Sequence, residues 1–342
     1  MAAVTFLGVT IPAYRLGKRS EDERQFLRTY RAPSDIEAHL FCSPQYAAKS
    51  DESNDILFLG ASTCLGGVQT RQFERLTGLS AYNLGVNAVL GIDGYLVLLR
   101  TYLEHHPAPR AVVLCVAPRQ VGTDGKFDPA LTRLKERFLW CYGKENEFPR
   151  PAYAEPTRYY KPTPNLAGLS YSSLKQQFSE NRGFFPTGGS KALHSSTRRD
   201  QSITYGPAGE GATDVDPYPV SRSFDEGVRA LAQLTASRHI WLMVRLSPVL
   251  PSANEEHFDR VKAWFDLLEA DYPNVVCDRP EVMIYSPEYF SDFFSHLNAR
   301  GAEKFTASLA PRVTQLLSRG PDQSAATSMP DQTTTTSRAD AE

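Results

Sequence analysis

The sequence has almost no imbalance of charge. Its 342 residues carry 37 Lys and Arg against 39 Asp and Glu, a formal net charge of -2. No basic run breaks that balance, so nothing points to a nucleic-acid partner. Cysteine is scarce: five residues, at 42, 64, 115, 141 and 277, are widely scattered and form no CxxC pair. That spacing offers neither a disulfide framework nor a zinc knuckle, and the expectation is mostly free, buried thiols. Cys64 and Cys115 lie in or beside strand-like runs, where a thiol behaves as a small hydrophobe. No cofactor or metal is implied. Glu255, Glu256 and His257 open a helix-like stretch without a second histidine at helical spacing, and read as a capping turn. Long apolar runs are missing too. The N-terminal AAVTFLGVTIPAY has no basic residue ahead of it, contains Pro12, and is shorter than the roughly 20 residues a membrane helix needs. It does not read as a signal or anchor; the alternative is the remnant of a membrane helix from a chain that starts further upstream.

What is present is the composition of an ordinary globular protein, 41% hydrophobic and 22% charged. Short apolar runs, the first stopped by glycine, recur at 55–60 (DILFLG), 81–86 (AYNLGV), 111–116 (AVVLCV), 239–244 (HIWLMV) and 274–278 (NVVCD). Each reads as a buried parallel strand. Between them, 92–106 and 254–270 carry apolar residues at helical spacing, the second with Phe258, Val261, Phe265 and Leu268. Such alternation predicts an α/β fold, a three-layer α/β/α sandwich on a mostly parallel, flavodoxin-like five-stranded sheet. The expected organisation is a lead-in segment over 1–50, with a helix capped by Ser34 or Asp35, then one domain over 51–320 and a disordered polar tail over 321–342. Over about 122–224 the periodicity fails among prolines, glycines and tyrosines. This stretch is expected to be an insertion with short helices, lying over one end of the sheet. No internal repeat is present.

Two segments carry chemistry. GASTCLGG, 60–67, follows the first strand directly, so Ser62 falls at a strand's carboxyl end, where open α/β sheets place their ligands. The spacing of Gly60, Ser62 and Gly66 allows a tight turn and then a helix whose first amides can face an oxyanion. The plain alternative is that Ser62 and Thr63 only cap the next helix. Near the end of the folded region, FSDFFSHLNARGAEKFTASLA, 290–310, sets His296 just before a helix that starts near Leu297 or Asn298, with Phe305, Leu309, Val313 and Leu316 on its inner face. Alone, His296 reads as a satisfied structural histidine; together with an early GxS it reads as a base able to take the serine proton.

An early GxSxxxG, a second block YNLGVNA, and a late acid and histidine followed by LN and RGA resemble the SGNH (GDSL-like) hydrolase family. They are closest to its branch of envelope polysaccharide O-acetylation and D-alanylation proteins. The resemblance spans 55–119 and 240–317 and leaves the insertion unexplained. It implies Ser62 as nucleophile, His296 as base, and the backbone amides of Ser62 and Ala88 as oxyanion donors. Ala88 stands where the family has glycine, a change an amide donor tolerates. It implies an acylated small molecule or carbohydrate as substrate, an envelope or periplasmic setting, and a membrane association that no segment here carries. Two positions depart from the pattern. The family's aspartate three residues before the histidine is replaced by Phe293, with Asp292 one residue further back as the candidate acid. The asparagine of the third block is absent where the chain reads CVAPRQ, leaving Asn87 as a substitute amide donor.

Arg119 at the end of that third run holds a carboxylate or phosphate of the substrate, stabilises the oxyanion, or forms a surface salt bridge; all three readings stand. Arg245, at the end of HIWLMVR, points to the ligand face or makes a structural ion pair. At the level of function, a serine O-acyl esterase or acyltransferase leads. A catalytically impaired protein of this fold that binds envelope polysaccharide or an assembly partner is the rival, motivated by Phe293 at the acid position and by the absent asparagine; fold alone does not decide function. A nucleotide-binding protein is the third reading, weakened because GASTCLGG lacks the lysine of a P-loop and the GxGxxG of a dinucleotide site.

Overall fold

The computed structural model describes residues 40, 43, 52–117, 120–121, 129–144, 147–148, 180–184, 220–249, 255–278, 284–291 and 296–319. The tail over 321–342 and most of the segments expected over 1–50 and 122–224, with the Ser34 or Asp35 cap, lie outside these residues. In chain order the elements are β1 (Ile56–Gly60), α1 (Ser62–Leu65), α2 (Thr70–Thr77), β2 (Ala81–Asn83), a 3-10 turn (Ala88–Leu90), α3 (Gly91–His105), β3 (Ala111–Val116), α4 (Pro129–Tyr142), α5 (Arg222–Ala236), β4 (Trp241–Leu246), α6 (Glu255–Asp271), β5 (Val275–Asp278), a second 3-10 turn (Pro287–Tyr289) and α7 (Ala299–Ser318).

All five strands are parallel and ordered β2-β1-β3-β4-β5. Side chains alternate across the sheet, as strand geometry requires. Leu57, Leu59, Val112, Leu114, Leu242, Val244 and Val275 face one core, packed by α3, α4, α5 and α6. Ile56, Phe58, Ala111, Val113 and Met243 face the other, covered by α2 and α7. Both faces are buried, so the strands read as continuous apolar runs. This is the three-layer α/β/α sandwich expected from the sequence, in the strand order of flavodoxin-like folds.

Each helix owes its place to its apolar stripe. On α7, Phe305, Leu309 and Val313 are fully buried, each worth about 1.5–3 kcal/mol by transfer from water. Asn298 caps that helix by accepting from the Gly301 N–H at 3.0 Å. Two strands depart from expectation. β2 ends at Asn83, although the Leu84 and Val86 N–H groups still reach the carbonyls of β1. β4 begins at Trp241, because His239 takes a left-handed φ of 56° and the Ile240 N–H bonds back to Thr235 to close α5. Within the stretch read as aperiodic, α4 buries Leu134, Phe138, Trp140 and Cys141 in the core beside α3, and is thus part of a layer. Residues 180–184 dock at the β2 edge, where the Asn83 N–H donates to the Arg182 carbonyl at 2.9 Å.

The connection from β1 to β2 runs through α2 on one face, and that from β2 to β3 through α3 on the other. The chain therefore parts between β1 and β3, and the crevice outside their carboxyl ends is where such folds bind ligands.

Candidate active site

Ser62 stands in that crevice, two residues after β1. Gly60 makes the turn possible: its φ is +149°, and a Cβ there would lie 2.1 Å from the Cys115 carbonyl oxygen. Only glycine tolerates both. The chain enters α1 at once, with the Cys64 and Leu65 N–H groups bonding back to the Ala61 carbonyl at 2.9 and 3.0 Å. No side chain caps α1, so Ser62 is not spent as an N-cap.

His296 arrives from the opposite end of the chain. A clasp holds it: the Ser291 N–H and hydroxyl both donate to the His296 carbonyl, at 2.8 and 3.0 Å, and Phe290 pairs with Leu297 in an antiparallel bridge. The Asn298 N–H donates to the Tyr289 carbonyl at 2.9 Å, and Gly301 lets α7 approach that same carbonyl, where a Cβ would sit at 2.1 Å. The outcome is a 2.8 Å hydrogen bond between Ser62 Oγ and His296 Nε2, spanning 234 residues of sequence. Both side chains are half-buried, reachable from solvent yet held.

The second block lies against α1. The Leu84 and Val86 N–H groups donate to the carbonyls of Phe58 and Gly60 at 2.8 and 2.9 Å. Asn87 is the N-cap of the 3-10 turn, its Oδ1 accepting from the Val89 N–H at 3.0 Å, so only its Nδ2 end is left to meet an anion. Ala88 is half-buried at the start of that turn. The first amides of α1 and of this turn precede any carbonyl that a helix could offer them.

Asp292, Phe293, Pro118 and Arg119 lie outside the described residues, as do the side chains of Glu255, Glu256 and His257. Next to Arg119, Gln120 folds back: its Oε1 accepts from the Ala117 N–H at 3.0 Å and its Nε2 donates to the Tyr95 hydroxyl at 2.9 Å. Burial pushes the Tyr95 phenol well above its ordinary range, and the Gln120 bond opposes that shift. Arg245, read as a candidate substrate contact, is only 1% exposed. Its guanidinium pairs with Asp278, donates to Ser308 Oγ at 2.7 Å and sits 4.9 Å from the Phe305 ring. Register explains the difference: Arg245 lies inside β4, opposite Cys115 and Asp278, with its side chain in the α7 layer. That is the structural ion pair. Burial lowers its pKa, and the Asp278 carboxylate opposes the shift.

Two positions carry weight that the sequence reading passed over. Asn83 is buried with its carboxamide against α1, and Ser247, just past β4, meets Thr63 with Oγ–Oγ1 at 2.9 Å. Their one visible sign is a polar residue inside or directly after an apolar run. Of the cysteines, Cys64, Cys115, Cys141 and Cys277 are buried thiols outside any disulfide. Burial, foremost, and then contact with Cys115 push the Cys64 thiol pKa upward. Among the described residues no group of acidic, His and Cys side chains is arranged to hold a metal ion.

No protein-family model and no curated protein matches the sequence. Solved structures give looser likenesses. A candidate platelet activating factor from Streptococcus pneumonia is similar at 11% identity and a TM-score of 0.43, over 89% of this chain and 99% of that one. A GDSL-like lipase from Bacteroides thetaiotaomicron is similar at 12% identity and a TM-score of 0.37, over 81% and 97%. A candidate acylhydrolase from Bacteroides fragilis is similar at 13% and 0.35, over 82% and 97%.

Proposed function

We propose that the chain is a serine-dependent hydrolase or acyltransferase of the SGNH type, acting on an ester through an acyl intermediate on Ser62. The observation that carries this reading is the 2.8 Å contact between Ser62 Oγ and His296 Nε2 at the sheet's switch point. A serine hydroxyl is a poor nucleophile until a base within hydrogen-bond reach takes its proton.

With Nε2 unprotonated, Ser62 Oγ adds to the ester carbonyl carbon as its proton passes to Nε2. The carbonyl oxygen becomes an oxyanion, met by the Ser62 and Ala88 N–H groups. When the tetrahedral adduct collapses, the carbon–oxygen bond to the alcohol breaks, and that alcohol takes the proton back from His296. The acyl-serine then passes to water in hydrolysis or to an acceptor hydroxyl in transfer, with His296 again taking and returning the proton. Asp292 is the candidate to orient the imidazole and Asn87 Nδ2 a further donor to the oxyanion. Arg119 is the candidate anchor for a substrate anion. The likeness of the sequence blocks to polysaccharide O-acetylation proteins favours a carbohydrate ester as substrate, in an envelope setting.

A fluorophosphonate probe tests the core of this reading, because it reports an activated serine without the natural substrate. Wild type is expected to label, and Ser62→Ala and His296→Ala to lose labelling. A well-folded wild type that does not label turns the reading to a binding protein of the same fold.

A further inference from the structure

We infer that Asn83 is a positioning residue of this site: its carboxamide sets the spacing between the turn that carries Ser62 and the block that carries Ala88. The inference rests on the nucleophile reading above and adds to it the device that aligns the two oxyanion amides. Asn83 is 1% exposed. Its Nδ2 donates to the carbonyls of Cys64, Val68 and Leu65 at 2.9, 3.2 and 3.4 Å, all in or just after α1. Its Oδ1 accepts the Gly85 N–H at 2.8 Å and the Cys64 S–H at 3.6 Å. The Gly85 N–H can only donate, which fixes the amide orientation.

The arrangement has a mechanical reason. A four-residue helix cannot hold its own shape, since helix formation needs several turns or outside support. Asn83 supplies the support by gathering the carbonyls of α1 with one end of its amide. The other end grips the backbone two residues on, in the block that leads to Ala88. The fit is tight: a Cβ on Gly85 would lie 2.6 Å from the Leu65 nitrogen and 2.7 Å from Asn83 Oδ1. A merely satisfied core amide would explain the burial. It would not explain why, among the described residues, the side-chain bonds of Asn83 go to the two donor-bearing segments alone.

Labelling kinetics with the fluorophosphonate probe separate the two. The carboxyl introduced by Asn83→Asp keeps the Gly85 contact but faces three carbonyl oxygens. Buried there, it titrates above the ordinary carboxylate range, and only its neutral form can still donate one hydrogen bond. The expected result is labelling at least about tenfold slower than wild type at pH 8, with the variant-to-wild-type ratio recovering as pH is lowered. Gly85→Ala, which keeps every bonding group but wedges the two segments apart, is expected to slow labelling likewise if Asn83→Asp does not fold. Val228→Ala on α5, in the opposite layer, serves as a comparator: it loses thermal stability but stays within about twofold of the wild-type rate. Wild-type rates at every pH in folded Asn83→Asp, or in folded Gly85→Ala, overturn the inference. An unlabelled wild type, or labelling that survives Ser62→Ala, sinks the nucleophile reading and this inference with it.

Discussion

The hydroxyl of Ser247 meets that of Thr63 at 2.9 Å, in a place where both residues are almost wholly buried. Ser247 follows β4, and its N–H bonds to the Val116 carbonyl at the end of β3 at 2.7 Å. The pair thus ties the turn that carries Ser62, after β1, to β4, across the intervening β3. Ser247→Ala leaves the Thr63 hydroxyl without that partner and should cost about 1–3 kcal/mol. The double variant Ser247→Ala/Thr63→Val should cost less than the sum of the singles, because no orphaned hydroxyl remains. Urea unfolding of the four proteins measures both terms; strict additivity would show that the hydroxyl pair is not a coupled unit.

His296 is the base in the proposed step, so its removal should leave a serine that is present but inactive. His296→Ala is expected to slow probe labelling by about a hundred- to ten-thousandfold while leaving the melting temperature near that of wild type. Labelling of folded His296→Ala at the wild-type rate would remove His296 from that role.

Arg245 and Asp278 form a buried ion pair, and removing Arg245 leaves the Asp278 carboxylate with the more distant, half-exposed Arg312 at 3.8 Å. Arg245→Met alone is expected to cost about 3–5 kcal/mol, and the double Arg245→Met/Asp278→Leu distinctly less. Calorimetry or urea unfolding decides this. Were Arg245 a substrate contact instead, the single variant would fold normally and lose only activity.

Gly60→Ala should be among the most damaging single changes in the chain. The new Cβ meets both a positive φ and the Cys115 carbonyl, which is backbone and cannot swing away. A cost of more than about 2 kcal/mol is expected, together with loss of probe labelling. A stable, labelled Gly60→Ala protein would show that the turn at Ser62 is more pliant than the structure has it.

Cys64 lies two residues from Ser62 yet is expected to be chemically quiet. Burial raises its pKa, so the thiolate is scarcer than for an exposed thiol at any pH below that raised value. Native protein treated with iodoacetamide near pH 8 should leave Cys64 unmodified by peptide mass spectrometry, and unfolding should expose it. Rapid native modification would contradict this burial.

Much of the fold was legible in the sequence. DILFLG and AVVLCV announce β1 and β3 because a strand buried on both faces must be apolar throughout, and the helical spacing of Phe305, Leu309 and Val313 announces α7 for the corresponding reason. The turn at Ser62 was legible from Gly60, and the start of α7 from Asn298. The helix α4 was not, since its apolar stripe lies among prolines and tyrosines that hide the period. Arg245 could be read two ways, because a register shift of one residue decides which face a strand residue takes.

Local pattern, then, determined the strands, most of the helices and the two candidate reactive residues, since each depends on neighbours a few positions away. Tertiary structure alone decided that Ser62 and His296 meet, that Arg245 turns to Asp278, and that Asn83 and Ser247 bond to the short helix that carries Ser62. These are contacts between segments tens to hundreds of residues apart. Their geometry follows from strand order and register, which no local period encodes.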